Sequence, residues 1–144
     1  MGRSEPLSRS AYGAFQTVTT RWHDNDLYGH VNNVTYYSWF DTAVNRYLIE
    51  AGGLDIHQSA VIAYVVSSSC QYFRGVSYPD PVEVGLRIER LGNRSATYGV
   101  GIFRAVDATP LAQGEFVHVF VNRGTSEPVP VPSTIRAALE ALPQ

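Results

Sequence analysis

Hydrophobic positions along this chain follow two rhythms. Between 34 and 51 there is neither Gly nor Pro, and Tyr37, Phe40, Val44, Tyr47 and Ala51 recur every three or four residues, the spacing of one helical face. The pattern predicts a helix of about 17 residues, roughly 25 Å long at ~1.5 Å per residue. Asn32 or Asn33 can cap its start, and Gly52-Gly53 supplies a left-handed stop.

The remaining segments read as strands. Phe15, Thr17, Val18, Thr19 and Thr20 mark one, and 61–73 is mostly β-branched, aromatic or Ser. Val82, Val84, Leu86 and Ile88 then alternate with Glu83, Gly85, Arg87 and Glu89, as in a half-buried strand. After a turn at 91–94, the segments 96–105 and 111–121 continue as a meander, joined through 107–110. The last strand sets Val117, Val119 and Val121 on one face and Phe116, His118 and Phe120 on the other. Past Pro128, Pro130 and Pro132, Ser133 can cap a short helix whose apolar side is Ile135, Leu139 and Leu142.

The predicted order is strand, long helix, four strands, short helix. It fits one antiparallel sheet with the long helix against one face, an α+β arrangement. Residues 1–13 are polar, include Pro6 and show no sustained period, which predicts a flexible N-terminal arm ahead of a single domain at 14–144. One helix cannot cover both faces of five strands. Apolar sheet surface and an edge strand are left over, so the chain is expected to form a homodimer or homotetramer.

Composition narrows the function. A length of 144 residues with 44% hydrophobic content suits one packed core. The formal charge of −2, with 11 basic residues scattered among 13 acidic ones, argues against nucleic acid as a partner. The longest apolar runs, such as 61–66, are too short to cross a membrane. A lone Cys70 and the lack of a secretory pattern in the first 20 residues predict a cytoplasmic setting.

The chemistry concentrates at 21–33, Arg-Trp-His-Asp-Asn-Asp-Leu-Tyr-Gly-His-Val-Asn-Asn. Such a stretch could be a capping turn, a metal site or the acidic part of an active site. His23, Asp24, Asp26 and His30 can be drawn as ligands, but they share one loop with no cysteine and no helical His-x-x-x-His pair, so no metal and no cofactor are expected. There is no Gly-x-Ser-x-Gly elbow for a serine nucleophile, and Ser67-Ser68-Ser69 falls in a strand. Cys70 is expected as a small buried residue, and His23 and His118 as packing or surface groups. An Asp in a strand-to-helix loop is commonly a turn former; Asp24 is expected to be the structural acid of the pair.

Asp24-Asn25-Asp26, Gly29-His30-Val31-Asn32-Asn33 and Tyr36-Tyr37, followed by an aromatic helix and four strands, resemble the hot-dog-fold acyl-CoA thioesterases of the 4-hydroxybenzoyl-CoA thioesterase type. The likeness spans roughly 15–123. It extends to Val76-Ser77-Tyr78-Pro79-Asp80-Pro81-Val82 and Leu91-Gly92-Asn93-Arg94-Ser95. It implies a sheet wrapped around a central helix, dimers made by sheet edges, and hydrolysis of an acyl-CoA at the dimer interface. By position, Asp26 resembles the catalytic carboxylate, and Arg94 stands where the family often places a basic residue against the phosphates of coenzyme A. At Asn33 relatives often carry Tyr or His, so the role implied there belongs to its backbone N–H. His30 and Asp26 are also similar to positions in plant acyl-carrier-protein thioesterases, where Tyr28 replaces an Asn.

Thioester hydrolysis needs an activated nucleophile and donors for the oxyanion. Asp26 can be general base or nucleophile, a choice the sequence leaves open. A helix beginning near Asn33 offers free N–H groups, Gly29 lets substrate approach the backbone, and His30 can orient water or the carbonyl. The acyl pocket is expected to be lined by the helix and by residues near 65–69, with Tyr28, Tyr36, Tyr37 and Trp39 as candidates for shaping it. The reading from a different class is a hot-dog module that binds acyl-CoA without turning it over. A hot-dog dehydratase is a third reading, but its His/Asp or His/Glu pattern is not evident.

Overall fold

The computed structural model describes residues 5–144. Five strands, β1 (Gly13–Val18), β2 (Val61–Tyr72), β3 (Val82–Leu91), β4 (Ser95–Arg104) and β5 (Ala112–Asn122), form one antiparallel sheet in the order β1-β3-β4-β5-β2. Two helices accompany it, α1 (Asn33–Glu50) and α2 (Ser133–Glu140). This is the α+β hot-dog architecture. The strands β3, β4 and β5 are the predicted meander. The strand β2 instead crosses to the far side and pairs with β5 from Val61↔Asn122 to Tyr72↔Ala112, leaving its other edge unpaired among the described residues.

The helix α1 buries Tyr36, Trp39, Phe40, Ala43, Val44 and Leu48. The stripe is therefore wider than Tyr37–Phe40–Val44–Tyr47–Ala51 and turned toward Trp39 and Leu48. Tyr37 and Tyr47 lie at its margins and Ala51 is exposed. A marginal place suits a phenol, since the Tyr47 hydroxyl donates to the Ala138 carbonyl at 2.5 Å. The opposing sheet face is Val84, Leu86 and Ile88 of β3, Tyr98, Val100 and Ile102 of β4, and Phe116, His118 and Phe120 of β5, all buried. Gly114 permits the close approach of helix and sheet, because a Cβ there would stand 2.7 Å from Phe40 Cε2.

Two local expectations change. The α2 N-cap is Pro132 rather than Ser133, which is already the first helical residue and makes no capping bond; Pro132 precedes it in an extended conformation that leads directly into the helix. Residues 5–13, the described part of the expected arm, make contacts that a loose arm would not. The Leu7 N–H donates to Gln113 Oε1 at 2.9 Å, and Arg9 pairs with Glu83 at 2.7 Å while stacking over Phe15 and Phe103. Composition hid this because the arm is held by cation–π, backbone and ion-pair contacts rather than by an apolar run. Residues 1–4 of that arm lie outside the described residues. Among the described residues no helix is long and apolar enough to cross a membrane.

Candidate active site

The strand β1 feeds a loop that must turn back before α1 can lie on the sheet, and its polar side chains make that turn. A single 3-10 turn at Trp22–Asp24 is closed by Asp24, whose carboxylate accepts the Arg21 N–H at 2.8 Å and the Arg21 guanidinium at 2.8 and 3.1 Å. Asp24 is 3% exposed and its carbonyl also receives the Asn32 N–H at 2.9 Å. These bonds use Asp24 to hold the loop.

Asp26 occupies a different environment. Its N–H donates to the His30 carbonyl at 2.9 Å and its carbonyl accepts the Gly29 N–H at 3.1 Å, so 26–30 is a small closed loop. Gly29, at φ +89°, takes the left-handed conformation that this closure requires. Asp26 Oδ1 accepts the Tyr28 N–H at 2.9 Å, and Oδ2 lies 3.5 Å from the Asn32 amide nitrogen, leaving the half-buried carboxylate with unused lone pairs. The loop docks on the segment before β3: the Val31 N–H bonds to the Val76 carbonyl at 2.7 Å, and the Ser77 hydroxyl to the Gly29 carbonyl at 2.6 Å.

Asn32 then caps α1, its side-chain oxygen accepting the Val34 N–H at 3.0 Å. The Asn33 carbonyl accepts the Tyr72 hydroxyl at 3.0 Å, which ties the first turn to the end of β2. The N–H of Asn33 has no protein partner among the described residues and sits at the positive end of the helix dipole. The first turn separates two cavities. One of about 450 Å³ is bounded by Arg21, His23, Asp26, Asn32, Thr35 and Ser38. The other, of about 280 Å³, is bounded by His30, Asn33, Tyr36, Tyr72, Phe73 and Arg74. A cavity of about 500 Å³ lies on the outer sheet face among Tyr12, Ser69, Arg87, Glu89, Gln113 and Glu115, and contains neither Asp26 nor the start of α1.

Asp26 thus borders one side of the α1 N-terminus and His30 and Asn33 the other, with Gly29 in the loop that joins them. The His30 ring lies against Gly75, where a Cβ would stand 2.8 Å from His30 Cδ2. Tyr28 contributes its N–H to Asp26, but its side chain is 89% exposed in the single chain. Arg94 is not part of this group. It follows Leu91 at the far end of β3, whereas the loop meets the Val82 end, and the ten-residue strand spans roughly 30 Å. Of the pocket candidates Tyr28, Tyr36, Tyr37 and Trp39, Tyr36 borders this cavity while residues 65–69 do not; sequence reasoning passed over Arg74, which long-range packing alone brings to this terminus. Burial pushes the Tyr36 phenol up to about 12 and the Cys70 thiol up to about 11. Among the described residues no group of three or more His, Cys, Asp or Glu side chains is placed to hold a metal ion.

The model of the thioesterase-like superfamily matches residues 20–139. The PA5185 protein of Pseudomonas aeruginosa strain PAO1 superposes with a TM-score of 0.93 at 56% identity, covering 94% of this chain and 95% of that one. PA2801 of Pseudomonas aeruginosa, for which thioesterase activity is proposed, gives 0.80 at 30% identity, covering 93% and 98%. A predicted thioesterase of Bacillus stearothermophilus gives 0.74 at 28% identity, covering 88% and 92%.

Proposed function

The chain belongs to the thioesterase-like superfamily, and from that premise we propose that it is an acyl-CoA thioesterase, hydrolysing a thioester to free acid and CoA with Asp26 as its catalytic carboxylate. In this reading Asp26 activates water as general base or attacks the carbonyl itself, and the Asn33 N–H receives the developing oxyanion. His30 orients water or the carbonyl, and Gly29 lets substrate approach the backbone. Thiolate leaves readily, so no strong acid catalyst is required.

The observation that carries the reading is the pairing of an incompletely satisfied carboxylate with a capped helix N-terminus in one loop. Asp26 spends one oxygen on the Tyr28 N–H and keeps acceptor capacity on the other, six residues before Asn32 fixes the first turn of α1. The likeness of the motifs at 24–26 and 29–33 supports a reading as the 4-hydroxybenzoyl-CoA thioesterase type. The lone cysteine suits a cytoplasmic enzyme.

The unpaired edge of β2, with Tyr64, Val65 and Val66 exposed, supports a homodimer or homotetramer. Two β2 edges meeting antiparallel would set the Tyr72 end of one copy against the Val61 end of the other. That brings the partner copy's Arg94 end toward this loop, and it is there that an Arg94–phosphate contact with coenzyme A belongs. The test is thiol release from a panel of acyl-CoA and acyl-carrier-protein thioesters, with Asp26→Asn as control. Release that disappears in the variant supports the assignment, whereas tight binding with no release from any thioester would make the protein a non-catalytic acyl-CoA-binding module.

A further inference from the structure

The cavity beside α1 carries polar groups with donors left unused among the described residues. Tyr36 is buried as a residue, and its hydroxyl, which makes no hydrogen bond to the protein among the described residues, opens on the 280 Å³ cavity. Arg74 stands on the same cavity. Its Nη2 makes long contacts, 3.3 Å to both oxygens of Thr109 and 3.4 Å to Asp107, while Nε and Nη1 have no protein partner among the described residues. The His30 imidazole is a third polar group, and the helix terminus adds its positive end. The walls between these groups are the edge-to-face pair Tyr36–Tyr72, with ring centroids 5.0 Å apart, and Phe73.

We propose that this cavity, across the first turn of α1 from Asp26, is the acyl subsite of the thioesterase and that it selects acyl groups ending in a carboxylate, which Arg74 and the Tyr36 hydroxyl bind. The proposal rests on the hydrolase reading above and deepens it. The half-exposed Arg74 and the Tyr36 phenol border the same open cavity and offer a charge-assisted and a neutral donor to one anion, and the aromatic walls suit a methylene chain.

The anion could also come from the phosphates of coenzyme A, and the experiment separates the two sources. Glutaryl and pentanoyl thioesters share a chain length and differ by a carboxylate in place of a methyl. Both are made as CoA thioesters and as N-acetylcysteamine thioesters, which lack the nucleotide. The expected result is a kcat/KM about tenfold or more higher for glutaryl than for pentanoyl in both series. Arg74→Gln should collapse that ratio about tenfold and Tyr36→Phe a few-fold, with thermal unfolding showing both variants folded.

A wild-type ratio at or below one overturns the proposal. So does an Arg74→Gln variant that lowers both CoA thioesters alike and neither N-acetylcysteamine thioester, since that assigns Arg74 to the phosphates. Calorimetric titration of Asp26→Asn with glutaryl-CoA and pentanoyl-CoA reads the subsite without turnover. Preferential glutaryl binding with no release from any thioester by the wild type would sink the hydrolase reading and leave the carboxylate subsite standing. Release without acyl preference would do the reverse.

Discussion

Asn32 faces two ways: its side-chain oxygen accepts the Val34 N–H at 3.0 Å, and its amide nitrogen lies 3.5 Å from Asp26 Oδ2. One residue thereby couples the start of the helix to the proposed catalytic carboxylate. Asn32→Ser keeps a capping oxygen but removes the amide donor. Thermal unfolding should change by only a few degrees while kcat falls several-fold. An equal loss of cap and activity, with the melting temperature dropping in step, would reduce Asn32 to a cap alone.

The two acids of the loop should separate cleanly. Asp26→Asn is nearly isosteric, so the fold should persist while kcat falls by ~10²-fold or more, the usual scale for losing a general base. Asp24 instead accepts three hydrogen bonds from Arg21 while almost fully buried. Asp24→Asn should cost about 1–3 kcal/mol in a urea titration and leave turnover of the folded protein near normal. The opposite pattern would exchange their roles.

The hydrogen bonding of the loop was largely legible in the sequence because it is local: Asp24, Asp26 and Asn32 lie within nine positions, and their side chains bond to one another or to neighbouring residues of the loop and first turn. The extent of α1 was equally plain from its lack of Gly and Pro. Its buried face was misjudged because Trp39, Ala43 and Leu48 widen the stripe, and only the sheet decides which margin faces inward. The pairing of β2 with β5 is a contact between distant segments that no local pattern encodes. Arg74 and Tyr36 share a cavity only as a consequence of that pairing, so a lone arginine just past a strand gave no signal.

The contact of His30 with Gly75 gives a second handle on the site. A methyl at Gly75 would press on the imidazole at 2.8 Å, yet residue 75 is exposed and not in the left-handed region. Gly75→Ala should therefore fold with little loss of stability and displace the ring. If His30 orients water or the carbonyl, kcat should drop by a similar factor in Gly75→Ala and His30→Ala, and the two together should lose little more. Full activity in Gly75→Ala, with its ring displacement confirmed by NMR, would remove His30 from the mechanism.

His118 links pH to stability. It is 1% exposed among Tyr98, Phe116 and Phe120, its Nδ1 lies 3.2 Å from the Tyr98 hydroxyl, and burial pushes the imidazole down to about 4. The unfolded chain, with an ordinary value near 6.5, takes up a proton more readily than the folded one. Stability is therefore complete above pH 6.5 and lost as the pH falls toward 4. From pH 7.5 to pH 5 the loss should be about 2 kcal/mol. Urea titrations at the two pH values measure it, and His118→Asn should remove this component. A difference between the two pH values that is the same size in His118→Asn would place the acid sensitivity elsewhere.

The last prediction concerns Arg94, which the length of β3 keeps roughly 30 Å from the Asp26 of its own chain. If it meets the phosphates of coenzyme A, it must do so for a neighbouring copy, and Arg94→Ala should raise KM for CoA thioesters with little change in kcat. The geometry makes a sharper demand. Mixing Asp26→Asn chains, which retain Arg94, with Arg94→Ala chains, which retain Asp26, would assemble dimers holding one site with both residues intact and one with neither. Refolded together, the mixture should hydrolyse CoA thioesters at close to the wild-type KM, although one parent is inactive and the other binds weakly. An N-acetylcysteamine thioester should show no such rescue, because it has no phosphate for Arg94 to meet. If the mixture keeps the high KM of the Arg94→Ala parent while size-exclusion chromatography with mass analysis shows mixed dimers, Arg94 does not serve the partner's site. The phosphate contact would then have to be sought at another residue.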